Sequence, residues 1–442
     1  MDKIITMTRN YPDWNKRIRN VHLVSISLFL ILMTTMIISW DNIFVQLVFS
    51  ILTAFLLFKI NQCFKKKRHK IHLKYYWQNK LLYFISSNSL YKEDYEIYFE
   101  NDKNGNEKEK KRKFISNSAE FSYKETADKI IIYALKNGDS YSNKITKLDV
   151  ELSALLNLPL EEKIDRPSVC EYHYFLKRPK RLNVISTDRV EVNESININL
   201  GYGVTYNPAK TPHILVSGGT GSGKSFFISF LILEFLKSLS TVYICDPKNS
   251  DLGSLSHYLG DERVGTTPNN IARVVRLAVT EMKKRYDYMN ANFKYGSNFS
   301  DHGYKPVWVI FDEMGAFQAS GTDKQSKAVV SEVMNEGIKQ IILLGRQAGV
   351  FILIAAQQMR SETISTDLRD NLGLRISLGS NSAEGYRMVF GSATPETIPP
   401  IEVKGSGLLY MQGNGKESAQ YWESPFIDME NFDFIEELKR YI

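Results

Sequence analysis

Two apolar runs stand in series near the amino end of the chain. Val21 to Trp40 (VHLVSISLFLILMTTMIISW) and Ile43 to Phe58 (IFVQLVFSILTAFLLF) are parted only by Asp41-Asn42. A helix rises about 1.5 Å per residue, so about 20 apolar residues cross a bilayer core and about 17 is the lower limit. The first run has that length, and the second gains it by including Lys59, whose stem can snorkel to the interface. Two soluble helices joined so tightly would leave nothing polar for water to face. The pattern therefore predicts a transmembrane helical hairpin over residues 21–60. Lys16, Arg17 and Arg19 precede it, and Lys59, Lys65, Lys66, Lys67, Arg68 and Lys70 follow it. The positive-inside rule then puts residues 1–20 and everything after Ile60 in the cytoplasm of a two-span membrane protein, with the basic cluster against anionic lipid.

Beyond the hairpin the pattern changes. Residues 61–190 read as a membrane-proximal linker and a small α+β domain. The stretch Asn101 to Lys113 (NDKNGNEKEKKRK) has turn formers, charges and no apolar residue, which predicts a solvated loop. Lys129 to Leu135 predicts a strand, Asn137-Gly138 a turn and Lys147 to Leu158 an amphipathic helix. Nothing in this segment carries recognisable chemistry, so a spacer or assembly role is expected of it. From 191 to 442 short apolar strands alternate with helices: His213–Ser217, a buried helix over Phe226–Phe235, Thr241–Cys245, Val307–Phe311, a polar loop Ser320–Lys324, a helix over Gln325–Leu344, then Val350–Ala356. That alternation predicts an α/β domain.

Composition changes this picture only at one point. The 442 residues carry a formal charge of +7, which on its own hints at a nucleic-acid partner. Nine of the basic residues flank the predicted hairpin, however, and without them the balance is −2. Net charge gives no support for nucleic-acid binding. Three cysteines, Cys63, Cys170 and Cys245, with no CxxC pair, exclude a disulfide framework and a thiolate zinc site.

The candidate chemistry lies in the last domain. Gly218-Gly219-Thr220-Gly221-Ser222-Gly223-Lys224-Ser225 is a full GxxxxGK[ST] match between a strand and a helix. Glycines at these places let backbone N–H groups close around phosphate oxygens, and the helix start adds the positive end of its dipole. Lys224 is expected on the β and γ phosphates of ATP and the Ser225 hydroxyl on Mg²⁺. Val307–Phe311 ends in Asp312-Glu313, so Asp312 is expected on magnesium and Glu313 as the general base that orients water. Gln357, at the tip of Val350–Ala356, can sense the γ-phosphate or is an ordinary strand-end polar residue. Asp246-Pro247-Lys248 also falls at a strand end, where ligands bind in open α/β sheets, but spacing alone favours a turn with a solvated ion pair. Lys248, Lys324 and Lys327 are either solvated or DNA-facing. Arg346 alone is a surface arginine, but a P-loop site lacks a cation for the transition state, and a neighbour's arginine supplies one in a ring.

Taken together, these elements resemble the FtsK/SpoIIIE family of DNA-pumping ATPases, in the short membrane-anchored form carried by conjugative elements of Gram-positive bacteria. HILVSGGTGSGKS (213–225), Asp246-Pro247-Lys248, Asp312-Glu313, GRQAGVFILIAAQQ (345–358) and GSGLLY (405–410) carry the resemblance, in family order. It implies a RecA-like motor domain, a hexameric ring threading double-stranded DNA without sequence preference, and ATP with Mg²⁺ as cofactors. It implies Arg346 as the arginine finger, Gln357 as the polar residue closing the fourth core strand, and Arg369 as a basic residue near the subunit boundary. Conjugation implies a relaxase complex and membrane channel proteins as partners. The stretch after Tyr410 has no room for the winged helix of cell-division members, which counts against sequence-directed chromosome sorting, although a chromosome-segregation type DNA pump stays as an alternative. Two other readings stand beside the DNA pump: an ATPase powering protein export, and a membrane tether whose ATPase is inactive. The single P-loop counts against the first, and the intact Lys224, Ser225, Asp312 and Glu313 against the second.

Overall fold

The computed structural model describes residues 4–7, 14–38, 42–101, 107–185, 195–359, 363–428 and 430–442. It divides into two units, Met1–Lys177 and Arg178–Ile442. The boundary expected at 190/191 lies outside the described residues, as does Asp41 of the predicted turn.

In the first unit, helix α1 spans Trp14–Ile38 and α2 spans Ile43–Lys74. Asn42 caps α2 by accepting from the Phe44 N–H, and His22 stacks on Phe64 with ring centroids 4.4 Å apart. Among the described residues one helix, α2, is long and apolar enough to cross a membrane, and its apolar stretch is almost wholly exposed. It does not stop at Phe58 but runs on through the Lys65–Lys70 cluster. After α3 (Tyr76–Ser87) come strands β1 (Tyr91–Asn101) and β2 (Glu107–Ser118), an antiparallel ribbon. This corrects the expected loop over Asn101–Lys113: its residues from Glu107 on are strand. The charges suit that role because acids on β1 lie across from bases on β2, as in Lys113–Glu93 at 3.1 Å and Lys110–Glu100.

The rest of the unit is a four-stranded antiparallel sheet of β3 (Glu120–Glu125), β4 (Lys129–Leu135), β5 (Leu160–Asp165) and β6 (Val169–Phe175), in the order β3-β4-β6-β5. Helix α4 (Asp149–Leu156) enters this unit between β4 and β5. Strands β4 and β6 alternate strictly between buried and half-buried positions, one face inward.

Among the described residues the second unit has an eight-stranded sheet and four further short strands. Short strands β7 (Asn183–Val184), β8 (Ile198–Gly201) and β9 (Val204–Tyr206) lead to β10 (Ile214–Gly218) and helix α5 (Lys224–Lys237). Strand β11 (Thr241–Cys245), helix α6 (Ser256–Leu259), β12 (Val264–Gly265), helix α7 (Pro268–Ala291) and β13 (Val307–Phe311) follow. Next come α8 (Met314–Ala319), α9 (Lys324–Ser331), a π-helical segment Glu332–Ile338, α10 (Lys339–Ala348) and β14 (Val350–Ala356). The chain closes with α11 (Thr366–Arg369), β15 (Leu374–Leu378), α12 (Ala383–Phe390), β16 (Ser406–Met411), β17 (Gln420–Glu423), β18 (Phe426–Ile427) and α13 (Phe434–Lys439). The helix expected over Gln325–Leu344 is thus interrupted by a π segment, in which Gly337 lies directly against Val275 of α7.

The sheet order is β12-β11-β13-β14-β10-β15-β16-β17, parallel as far as β15 and antiparallel for the last two strands. Both faces are covered, so the central strands are apolar at nearly every position rather than alternating. Ile214, Val216, Trp308, Ile310, Phe351 and Leu353 pack with α5 on one side. Leu215, Val309, Phe311, Ile352 and Ile354 pack with α7 and α10 on the other. His213, just before β10, is wholly buried with a left-handed φ of 60°. Its Nδ1 accepts from the Ile352 N–H at 3.1 Å, which leaves Nε2 to donate to the Ile342 carbonyl at 3.0 Å. One neutral imidazole so ties β10 to β14 and α10.

Candidate nucleotide site

Parallel strands bring their carboxyl ends to one edge, and that geometry assembles the site. Gly218 ends β10, Cys245 leads into Asp246, Phe311 into Asp312 and Glu313, and Ala356 into Gln357. The phosphate loop turns between β10 and α5. Gly221 and Gly223 carry φ of 80° and 99°, conformations that side chains resist, and Gly223 lies so near Gly405 that a Cβ would sit 3.3 Å from its Cα. The first-turn N–H groups of α5 have no intrahelical acceptor and are offered to a ligand.

Lys224 Nζ lies 3.1 Å from Asp312 Oδ1 and 3.5 Å from Glu313 Oε2. Glu313 takes a second cation, Lys248, at 3.4 Å, and accepts from the Gln357 backbone N–H at 3.1 Å. Sequence reasoning left Lys248 as a solvated or DNA-facing charge; the pairing of β11 with β13 sets it beside Glu313 instead. The Gln357 side chain is exposed at the mouth of the cleft, while its backbone does the bonding.

The cleft has a volume of about 1230 Å³. Its walls reach well past the phosphate loop to Phe226, Leu255, Phe432 and Phe434, an apolar end suited to a nucleoside. The carboxyl-terminal part of that wall was not anticipated, since Phe426–Lys439 carries no motif. Magnesium fits the donors present. The Ser225 hydroxyl and the Asp312 carboxylate both line the cleft, hard oxygens of the kind Mg²⁺ takes together with substrate phosphates. Among the described residues no cluster of three His, Cys, Asp or Glu side chains could hold an ion by itself.

Two arginines fall elsewhere. Arg346, exposed near the end of α10, donates from Nε to the Ala209 carbonyl at 3.1 Å. It precedes β14, whose seven residues separate it from Gln357 by roughly 23 Å. It therefore stands at the amino edge of its own sheet, away from its own phosphate loop. Arg369 is buried, with Nε and Nη2 on Asp370 Oδ1 at 3.1 and 3.0 Å, an oxygen it shares with Arg375 at 3.5 Å. Cys170 and Cys245 are buried, and burial pushes both thiols up, while Cys63 is exposed.

A model of the FtsK/SpoIIIE family matches residues 188–385. The Ftsk domain-containing protein YdcQ of Bacillus subtilis is 30% identical over 347 residues, which are 75% of this chain and 68% of that protein. The chain belongs to the FtsK/SpoIIIE family. It is an ATP-hydrolysing P-loop enzyme of mixed α/β fold. The DNA translocase FtsK of Staphylococcus aureus, another relative, is 24% identical over 285 residues, 58% of this chain and 34% of that translocase. The chain thus spans about a third of the length of the family's translocases of that type. Among solved structures, the monomer form of the pCW3 conjugation coupling protein TcpA with ATPγS aligns with a TM-score of 0.50 at 18% identity, covering 73% of this chain and 94% of that one. That is a likeness of fold.

Proposed function

We propose that this chain is a membrane-anchored, RecA-like motor that moves DNA during conjugative transfer, working as a ring of identical subunits. The observation that carries the ring is the separation of charges: Lys224, Asp312 and Glu313 converge at the carboxyl edge of the sheet, whereas Arg346 stands roughly 23 Å away along β14. A site with its arginine at the wrong edge is completed by a neighbour. In a head-to-tail ring each Arg346 serves the next subunit's ATP, and a hexamer closes such an interface.

Within the cleft the phosphate-loop amides from Gly218 to Ser225 cradle the polyphosphate and Lys224 leaves Asp312 to reach it. Ser225 and Asp312 would hold Mg²⁺, which when bound shields charge on the β and γ phosphates. Glu313 orients the attacking water and accepts its proton, and Gln357 reports the state of the γ-phosphate. DNA as the polymer is supported by the family's translocases, and conjugation by the coupling-protein fold. The apolar run of α1 together with α2 supports a two-span anchor, with both ends and the motor in the cytoplasm and the Lys65–Lys70 cluster on lipid. A relaxase complex and channel proteins then choose and receive the DNA.

The test is ATP turnover by the full chain with and without duplex DNA. Turnover should rise with DNA, and Lys224→Ala or Asp312→Ala should abolish both the basal and the stimulated rate. An active enzyme indifferent to DNA overturns the DNA motor and favours a different cargo.

A further inference from the structure

Lys248 holds a place that the phosphate chemistry above does not use. Asp246, two residues before it, is completely buried, and its carboxylate accepts four hydrogen bonds. They come from the Lys248 N–H at 3.1 Å, the Ser250 N–H at 2.7 Å, the Gly253 N–H at 2.9 Å and the Ser250 hydroxyl at 2.8 Å. A buried carboxylate gripping three backbone amides makes a stiff turn. The turn fixes the Lys248 backbone, and the side chain then reaches Glu313 Oε2 at 3.4 Å.

Glu313 is itself aimed at some cost. It follows β13 with a φ of 52°, a left-handed backbone that non-glycine residues adopt reluctantly. Three elements hold its carboxylate in place: the Gln357 N–H at the end of β14, Lys224 at the start of α5, and Lys248. Lys224 is shared, because Asp312 lies closer to it than Glu313 does. When the polyphosphate recruits Lys224, Glu313 keeps one cation.

We propose that Lys248 is a positioning residue for hydrolysis, holding the Glu313 carboxylate in its working orientation once Lys224 has turned to the phosphates. The proposal rests on the reading of Glu313 as the group that orients water. Lys248 lines the same cleft, but its charge is paired with Glu313, so its loss should show in turnover more than in binding.

The experiment measures ATP turnover by the full chain in detergent for the wild type, Lys248→Met, Lys248→Arg, Glu313→Gln and Lys248→Met/Glu313→Gln. Lys248→Met should lower kcat about 10- to 100-fold and leave the ATP KM within about 2-fold. Lys248→Arg, which keeps the charge, should recover most of that loss. In the Glu313→Gln background the Met substitution should change the residual rate by less than about 2-fold, because two residues acting through one carboxylate are not additive. Unchanged kcat in Lys248→Met overturns the proposal. So does a raised KM at constant kcat, or an Arg variant as slow as the Met variant, or a full further loss in the double variant. Wild-type turnover by Glu313→Gln removes the Glu313 reading first, and this proposal with it.

Discussion

Acidification should strike the second unit through one side chain. His213 is completely buried, and burial pulls its imidazole down from the ordinary 6.5 to about 4. In the unfolded chain the ring protonates as pH falls through 6.5, while the folded ring stays neutral because its Nδ1 must accept from Ile352. The unfolded state therefore binds the extra proton. The stability that neutral His213 confers is fully present above about pH 6.5 and is lost as pH falls towards 4. The complete loss is about 3 kcal/mol, and about 2 kcal/mol of it falls between about pH 7 and about pH 5. Urea unfolding of the Arg178–Ile442 unit can follow this through fluorescence, since Trp308 and Trp422 are both buried there. His213→Gln keeps a donor and an acceptor but cannot titrate. The wild type should lose about 2 kcal/mol more than that variant over the interval. Parallel stability curves for the two proteins would refute the reasoning.

Three further outcomes follow from the same geometry. Gly345→Ala would drive a methyl group into the Val350 carbonyl oxygen at the turn from α10 to β14, and should cost about 3 kcal/mol, read as a lower thermal midpoint; an unchanged midpoint would contradict the packing. Phe226→Ala should raise the ATP KM about 3- to 10-fold with kcat nearly intact and leave inorganic triphosphate binding unchanged, whereas a fall in kcat would move Phe226 out of the nucleoside wall. Titrating Arg346→Ala subunits into wild-type assemblies should depress turnover more steeply than their mole fraction; strictly proportional loss would mean that each subunit supplies its own cation.

Much of the nucleotide site was legible because its residues sit at the ends of short apolar strands. Val307–Phe311 and Val350–Ala356 are buried at every position, so each reads as an unbroken apolar run with a polar residue just after it, and Ile214–Gly218 and Thr241–Cys245 are nearly as apolar. What escaped depends on contacts distant in sequence. Lys248 meets Glu313 only because β11 pairs with β13. The cleft wall of Ile427, Phe432, Phe434 and Ile435 comes from a stretch distant in sequence from the phosphate loop. The contact of Arg369 with Asp370 likewise shows only in the folded chain. The β1–β2 ribbon was misread for a different reason: most of its residues face water on both sides, so its charges carry no inward face, and pairing across the ribbon is invisible within either strand alone.

The uninterrupted course of α2 has a mechanical meaning. Sixteen residues of helix extend from Lys59 to Lys74 beyond the apolar run, roughly 24 Å at the usual rise, before Tyr75 breaks the geometry ahead of α3. Any engine that pulls on a polymer is pulled back with equal force, and that load must end in something that does not drift. A slack tether would absorb each stroke as linker extension. On the anchored-motor reading proposed above, a continuous helical stem would hand that recoil to the bilayer, and its length would set the lever arm through which the membrane resists being turned.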